Sequence, residues 1–137
     1  MSHKKVFALL VSDGDESFES LRTLVKAQGL EVWISRSWTE AAHLLDQTHP
    51  ELIFTAAQLT DGTWRDIIIM AENASAPANV ILVGKSRDQR LHIAAMDYGA
   101  FDFILPPFES ESVGQVVRVA AENIRRQREA QALRAVA

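Results

Sequence analysis

Short apolar runs alternate five times with longer amphipathic stretches, and this alternation limits the folds open to the chain. The first run, Val6 to Val11, ends at Asp13-Gly14-Asp15, and Glu16 to Gln28 then carries apolar residues at helical spacing. Further strands are expected at 30–35, 52–56, 80–83 and 101–105. A near-continuous apolar run is typical of a parallel strand buried on both faces. The five β-α units therefore predict an α/β fold, in which helices cover both faces of one parallel sheet.

Composition excludes several functional classes. The chain has 137 residues, the length of one domain, and a net charge of -4, whereas faces that bind nucleic acid need clustered Lys and Arg. It contains no cysteine, which excludes disulfides, thiolate metal sites and cysteine nucleophiles. No stretch approaches the ~20 apolar residues that span a bilayer. We therefore expect a cytoplasmic protein without a nucleic-acid or membrane partner.

The loop after the first strand holds three acids, Asp13, Asp15 and Glu16. In sheets of this kind, ligands bind beyond the carboxyl ends of the strands. Such a cluster fits either a divalent cation or the start of a helix, whose dipole and free N–H groups stabilise carboxylates. Helix capping is the favoured interpretation. Because glycine-rich nucleotide-binding motifs are absent as well, we expect neither a bound metal nor a cofactor.

The loop after the third strand lacks reactive side chains at its start. The strand Leu52-Ile-Phe-Thr-Ala56 ends on an alanine, which cannot act as a nucleophile, a base or a metal ligand. The nearest candidates for these roles are Thr55, expected within the strand, and Asp61, which is better explained by turn formation.

Several segments in register resemble the receiver domain of two-component response regulators, over about residues 4 to 125. Pro50 to Ala56 resembles the strand that ends on the phosphoacceptor aspartate, and Leu59-Thr-Asp-Gly62 resembles the turn that follows it. Ala95 to Phe108 matches the closing signature of Gly-Ala, an aromatic residue and Lys-Pro-Phe. The resemblance implies a flavodoxin-like doubly wound fold with strand order 2-1-3-4-5 and an extended C-terminal helix. It also implies a role in two-component or phosphorelay signalling, with a histidine kinase or an output module as partner.

The departures from the family pattern fall on its functional positions. Ala56 stands in place of the phosphorylated aspartate, and Gly14 in place of an acid that helps to hold magnesium. Gly84 replaces the switch Ser or Thr, and Pro106 replaces the lysine, so that only Asp13 is the expected residue. Acyl-phosphate formation needs a carboxylate nucleophile, a cation and a lysine. We therefore expect no catalytic residues, and a pseudo-receiver that is not an enzyme.

Two other functions remain open at this point. An unconventional acceptor, Thr55, Thr60 or Asp61, would make the chain an active phosphotransfer receiver. Alternatively, the vacated pocket would hold a neutral or cationic small molecule and act as a sensor.

The resemblance further implies a protein-binding face. Receivers commonly bind partners or dimerise through the fourth helix, fifth strand and fifth helix, which correspond here to 87–98, 101–105 and 109 onward. The candidate interaction residues are His92, Ala95, Tyr98, Phe103 and Val116. Phe103 lies where the family places its switch aromatic. Pro106-Pro107 lies where receivers have a cis Lys-Pro bond, which predicts a cis bond between the two prolines.

The C-terminal segment divides into two parts. Apolar residues recur at helical spacing between Val113 and Ile124 and are expected to pack on the sheet. Beyond them, 125–137 favours a helix but is mostly polar, as in a solvated helix end or a helical linker to an output module. We therefore expect a receiver-like domain over 1–124 and a helical extension over 125–137. A homodimer would form through the predicted protein-binding face or through the last helix.

Overall fold

The computed structural model describes residues 5–136. The start of the predicted domain (residues 1–4) and the end of the predicted extension (residue 137) lie outside the described residues. The strands are β1 (Phe7–Val11), β2 (Glu31–Ser35), β3 (Leu52–Ala56), β4 (Gln58–Leu59), β5 (Gly62–Thr63), β6 (Asn79–Val83) and β7 (Asp102–Ile104). The helices are α1 (Ser17–Ala27), α2 (Trp38–Thr48), α3 (Trp64–Glu72), α4 (Gln89–Tyr98) and α5 (Ser110–Val136). None of the helices in this part of the chain is both long and apolar enough to cross a membrane.

Five strands form one parallel sheet in the order β2-β1-β3-β6-β7. Numbered within this sheet alone, the order is 2-1-3-4-5, which confirms the prediction. Two apolar clusters lie on opposite faces. One joins the sheet to α1 and α5 through residues such as Leu21 and Val117, and the other joins it to α2, α3 and α4 through residues such as Leu45 and Ile67. The central strand β3 is buried along its whole length, as a strand covered by helices on both faces must be.

Side-chain caps set where several helices begin. The Ser37 hydroxyl accepts a hydrogen bond from the N–H of Glu40 at the start of α2, and Asp88 accepts one from the N–H of Leu91 in α4. Thr63 and Asp66 form a reciprocal capping box at the start of α3. The preceding segment folds into the two-stranded β4–β5 ribbon, which the sequence did not predict because two-residue strands are too short to show a period.

Helix α5 crosses the predicted boundary at 124/125 without interruption. Its apolar residues up to Ile124 are buried, as expected from their spacing. Beyond that point, the Arg128 guanidinium donates hydrogen bonds to the carbonyl oxygens of His49 (3.2 Å), Pro50 (2.8 Å) and Pro77 (2.8 Å). The packed domain therefore holds α5 as far as Arg128, and all residues from 129 to 136 are exposed.

Candidate functional site

The carboxyl ends of β1, β3 and β6 lie side by side, and Ala56 ends the middle strand. Ala56 aligns with Val83 of β6, and the preceding residue, Thr55, aligns with Val11 of β1. Ala56 therefore lies between the ends of the two neighbouring strands. The Ala56 side chain is buried, with 2% of the residue exposed. A buried methyl group, and no carboxylate, therefore ends the central strand of the sheet.

Strand register shows which residue of the first loop lies beside Ala56. Val11 aligns with Thr55, so the next residue, Ser12, lies at the level of Ala56. Ser12 is buried, and its hydroxyl accepts a hydrogen bond from the N–H of Gly14 (2.9 Å). Gly14 itself is exposed and has a left-handed backbone, with φ of 94°. The structure thus places Ser12 level with Ala56, and Gly14 on the exposed part of the loop.

Two of the three acidic residues of this loop accept local hydrogen bonds. Asp13 Oδ1 accepts one from the N–H of Asp15, and Asp15 Oδ1 accepts one from the N–H of Ser17, each at 2.9 Å. Hydrogen bonding from Ser17 lowers the pKa of the Asp15 carboxyl. Within residues 5–136, no three His, Asp or Glu side chains are grouped as a metal ion would require. The hydrogen bonds that Asp13 and Asp15 accept from N–H groups ahead of α1 favour the capping interpretation of the loop.

A cation from the chain itself lies beside Asp13. Lys85 Nζ is 3.2 Å from Asp13 Oδ2, and the Asp13 side chain is only 16% exposed. Lys85 directly follows Gly84 at the end of β6, so the pair links two loops at this edge of the sheet. Sequence reasoning missed this contact because the two residues are far apart in the chain and neither lies in a local motif. Lys85 supplies a positive charge near the pocket, whereas Pro106 carries no amino group.

Gly84 is buried at the end of β6, and its N–H donates to the carbonyl of Ile104 in β7 (2.9 Å). A Cβ atom on Gly84 would lie 2.7 Å from Cζ of Phe103 and 2.7 Å from Cδ2 of Leu105. The space that a switch hydroxyl would need is therefore filled by these two side chains. In the next loop, the bond between Pro106 and Pro107 is cis, as predicted.

The alternative acceptors have other roles in the structure. Thr55 is completely buried, and its hydroxyl donates to the carbonyl oxygen of Ala56 (2.9 Å). The Asp61 carboxylate accepts hydrogen bonds at the start of α2 from the N–H of Trp38 (2.7 Å), the N–H of Thr39 (3.0 Å) and the Thr39 hydroxyl (2.7 Å). The Thr39 hydroxyl, followed by these N–H groups, lowers the pKa of Asp61. Thr60 is exposed.

The five predicted interaction residues do not all lie on the surface. His92 is exposed on α4 and stacks on the Phe103 ring, with centroids 4.8 Å apart and planes at 15°. Tyr98 is also exposed but makes an edge contact with Trp64 of α3 (5.6 Å). Val116 is partly buried on α5. Ala95 is 0% exposed because it packs in the core beneath α4, so the structure corrects its placement on the surface.

His92 and Phe103 border a cavity of about 450 Å³ between α4 and β7, here called the α4–β7 cavity. Its lining consists of Arg87, Asp88, Gln89, His92, Phe103 and Leu105. Sequence reasoning did not single out some further exposed apolar side chains, which are Ile93 and Met96 on α4 and Val119 on α5. Helical spacing alone could have found them, since they fall opposite the buried stripe of each helix.

No protein-family model matches the chain. Regulatory protein AtoC of Escherichia coli (strain K12) is 23% identical over 114 residues, which make up 83% of this chain and 25% of that protein. The chain thus spans about a quarter of the length of this curated relative.

Solved structures of receiver domains share the architecture. The signal receiver domain of an HD domain-containing protein from Pseudomonas fluorescens Pf-5 aligns with a TM-score of 0.82 at 20% identity, covering 94% of this chain and 96% of that one. The signal receiver domain of a Luxo repressor protein from Vibrio parahaemolyticus aligns with a TM-score of 0.80 at 18% identity, covering 90% and 95%. The chain therefore has the α/β fold of response-regulator receiver domains.

Proposed function

We propose that this chain is a receiver domain of the two-component signalling type that acts by binding other proteins without being phosphorylated, and that it is not an enzyme. The shared fold and the motifs from Pro50 to Gly62 and from Ala95 to Phe108 support the signalling role. The observation that carries the phosphorylation-independent mode is Ala56, a buried methyl group at the end of the central strand.

The surroundings of Ala56 support the same proposal. An acyl phosphate needs a carboxylate oxygen to attack phosphorus, and cations to neutralise the phosphoryl oxygens. Here the carboxylate is missing, and the remaining acid, Asp13, is paired with Lys85. Thr55 is buried and bonded to the backbone, and Asp61 is held at the start of α2. Neither side chain is free to take over as nucleophile in this conformation.

Binding then depends on surfaces outside the pocket. Exposed apolar side chains on α4 and α5 and the α4–β7 cavity provide such a surface, and a histidine kinase or an output module is the partner that the family resemblance favours. We further propose self-association through α5. Val119 and Leu133 are 51% and 73% exposed and lie fourteen residues apart, within ~40° of each other around an α-helix.

Phosphoryl uptake is the direct test of this function. The purified chain is incubated with acetyl phosphate and Mg²⁺, and its intact mass is measured beside that of a receiver that retains the acceptor aspartate. We expect the reference protein to gain one phosphoryl group and this chain to keep its original mass.

A mass gain in this chain would overturn the proposal. Asp61→Asn and Thr55→Val would then identify the acceptor, because the gain disappears only in the variant that lacks it.

A further inference from the structure

The side chains of Phe103 and Leu105 leave no room for a Cβ atom at Gly84. Its φ lies outside the left-handed region, so its backbone conformation is open to any residue. A Cβ atom at this position would stand 2.7 Å from both Phe103 Cζ and Leu105 Cδ2, well inside van der Waals contact. The ring of Phe103 can occupy its present position only while residue 84 has no side chain.

The Phe103 ring also contacts His92 of α4. Its imidazole stacks on the Phe103 ring at 4.8 Å, and both side chains line the α4–β7 cavity together with Leu105. Phe103 also packs against the apolar cluster that joins the sheet to α2, α3 and α4. The ring is therefore in contact with a buried backbone position, the core and an exposed helix, and its position determines the shape of the cavity wall.

We infer that Gly84 fixes Phe103 in its inward position and thereby gives the wall of the α4–β7 cavity a single conformation. Closely packed interiors favour one arrangement of side chains, and the missing side chain at Gly84 leaves the space that the Phe103 ring and Leu105 occupy in this arrangement. The inference rests on the proposed function, since a surface that binds partners without a phosphorylation signal must be presented continuously. It also predicts that a Ser or Thr at position 84 would displace the ring instead of creating a working switch.

The first test compares Gly84→Ala with the wild-type chain. The aromatic ring signals of His92 are measured by NMR, together with the melting temperature. Stacking on Phe103 is expected to shift the wild-type His92 signals upfield, and Gly84→Ala to abolish this shift and lower the melting temperature by about 5 °C. Unchanged His92 signals in a folded Gly84→Ala variant would overturn the inference.

Gly114→Ala is the matched control. A Cβ at Gly114 would meet the side-chain amide of Gln28 at 3.0 Å, a flexible group that can move aside, and Gly114 lies within α5, where Ala is favoured over Gly. We expect this variant to keep the wild-type His92 signals and to melt at or above the wild-type temperature. A loss of the His92 shift in this variant as well would contradict a specific role for Gly84.

Relaxation dispersion on the wild-type chain keeps the inference testable if Gly84→Ala does not fold. Ring signals of His92 and Phe103 without exchange on the microsecond-to-millisecond timescale are expected for a single conformation. Exchange between two ring positions would overturn it. These outcomes are distinct from those of the phosphoryl-uptake test, because a gain in mass would refute the proposed function whether or not Phe103 is fixed.

Discussion

Asp61 is a carboxylate near the pocket whose role is set by a distant partner. In the sequence, Asp61 belongs to a Thr-Asp-Gly segment, which predicts a role in turn formation. In the structure its two oxygens accept hydrogen bonds from the first N–H groups of α2, which helix geometry leaves without a partner inside the helix. A residue from the loop after β3 thus caps a helix 22 residues earlier in the chain.

We predict that Asp61→Asn lowers the melting temperature by a few degrees at neutral pH. Because hydrogen bonds lower the pKa of Asp61 below its unfolded value, the ionised carboxylate stabilises the folded chain above that unfolded value. This stabilisation is lost as the pH falls through the folded pKa, so wild type and variant should converge in acid. Thermal melts from neutral pH to below pH ~4, the ordinary range of an Asp pKa, check this. Equal melting temperatures at neutral pH would contradict it.

Some residues of the candidate site could be placed from the sequence, and others could not. The end of β3 at Ala56 and the cis bond between Pro106 and Pro107 were predicted because each lies in a distinctive local pattern. The alignment of Ser12 with Ala56 was not predicted, because the loop after β1 has no apolar pattern that would show its register. The contact between Lys85 and Asp13 could not be predicted, because it depends on how two loops fold towards each other.

Among the elements, the five sheet strands were predicted to within one residue at each end, because buried parallel strands appear as isolated apolar runs. The outer part of α5 was harder to interpret. Its polar composition indicated a helix but gave no sign that Arg128 reaches the carbonyls of His49 and Pro50. These carbonyls directly follow the end of α2, where the helix dipole favours a positive charge and the last turn of α2 has no basic residue.

Arg128→Ala is therefore predicted to destabilise the fold by about 1–3 kcal/mol, since it removes charged hydrogen bonds to partly buried carbonyls. Urea unfolding measures the change. Arg126→Ala is the control on the same helix, because Arg126 is exposed and forms its ion pair with Glu122, one turn away on α5. Its effect should stay below about 0.5 kcal/mol. Equal losses in the two variants would show that Arg128 does not clamp α5 to the domain.

At the level of the whole molecule, the chain has the receiver fold, and the central strand of its sheet ends on an alanine. Structures at 18–20% identity align with TM-scores of 0.80–0.82, although the end of β3 here carries a methyl group. This is consistent with a fold that depends on core packing and a function that depends on a few surface and loop positions. Under the proposed function, the exposed apolar residues of α4 and α5 are the surface that we expect a partner to contact.

We predict that the chain forms a dimer through α5. Light scattering over a concentration series should show the mass rising from monomer to dimer. Leu133→Glu and Val119→Glu, each of which places a charge on the same side of α5, should each weaken the dimer by roughly tenfold or more. Ile69→Glu is the control, because Ile69 is 44% exposed but belongs to α3. A monomeric mass at every concentration would rule out dimerisation through α5, and an equal loss with Ile69→Glu would place the interface elsewhere.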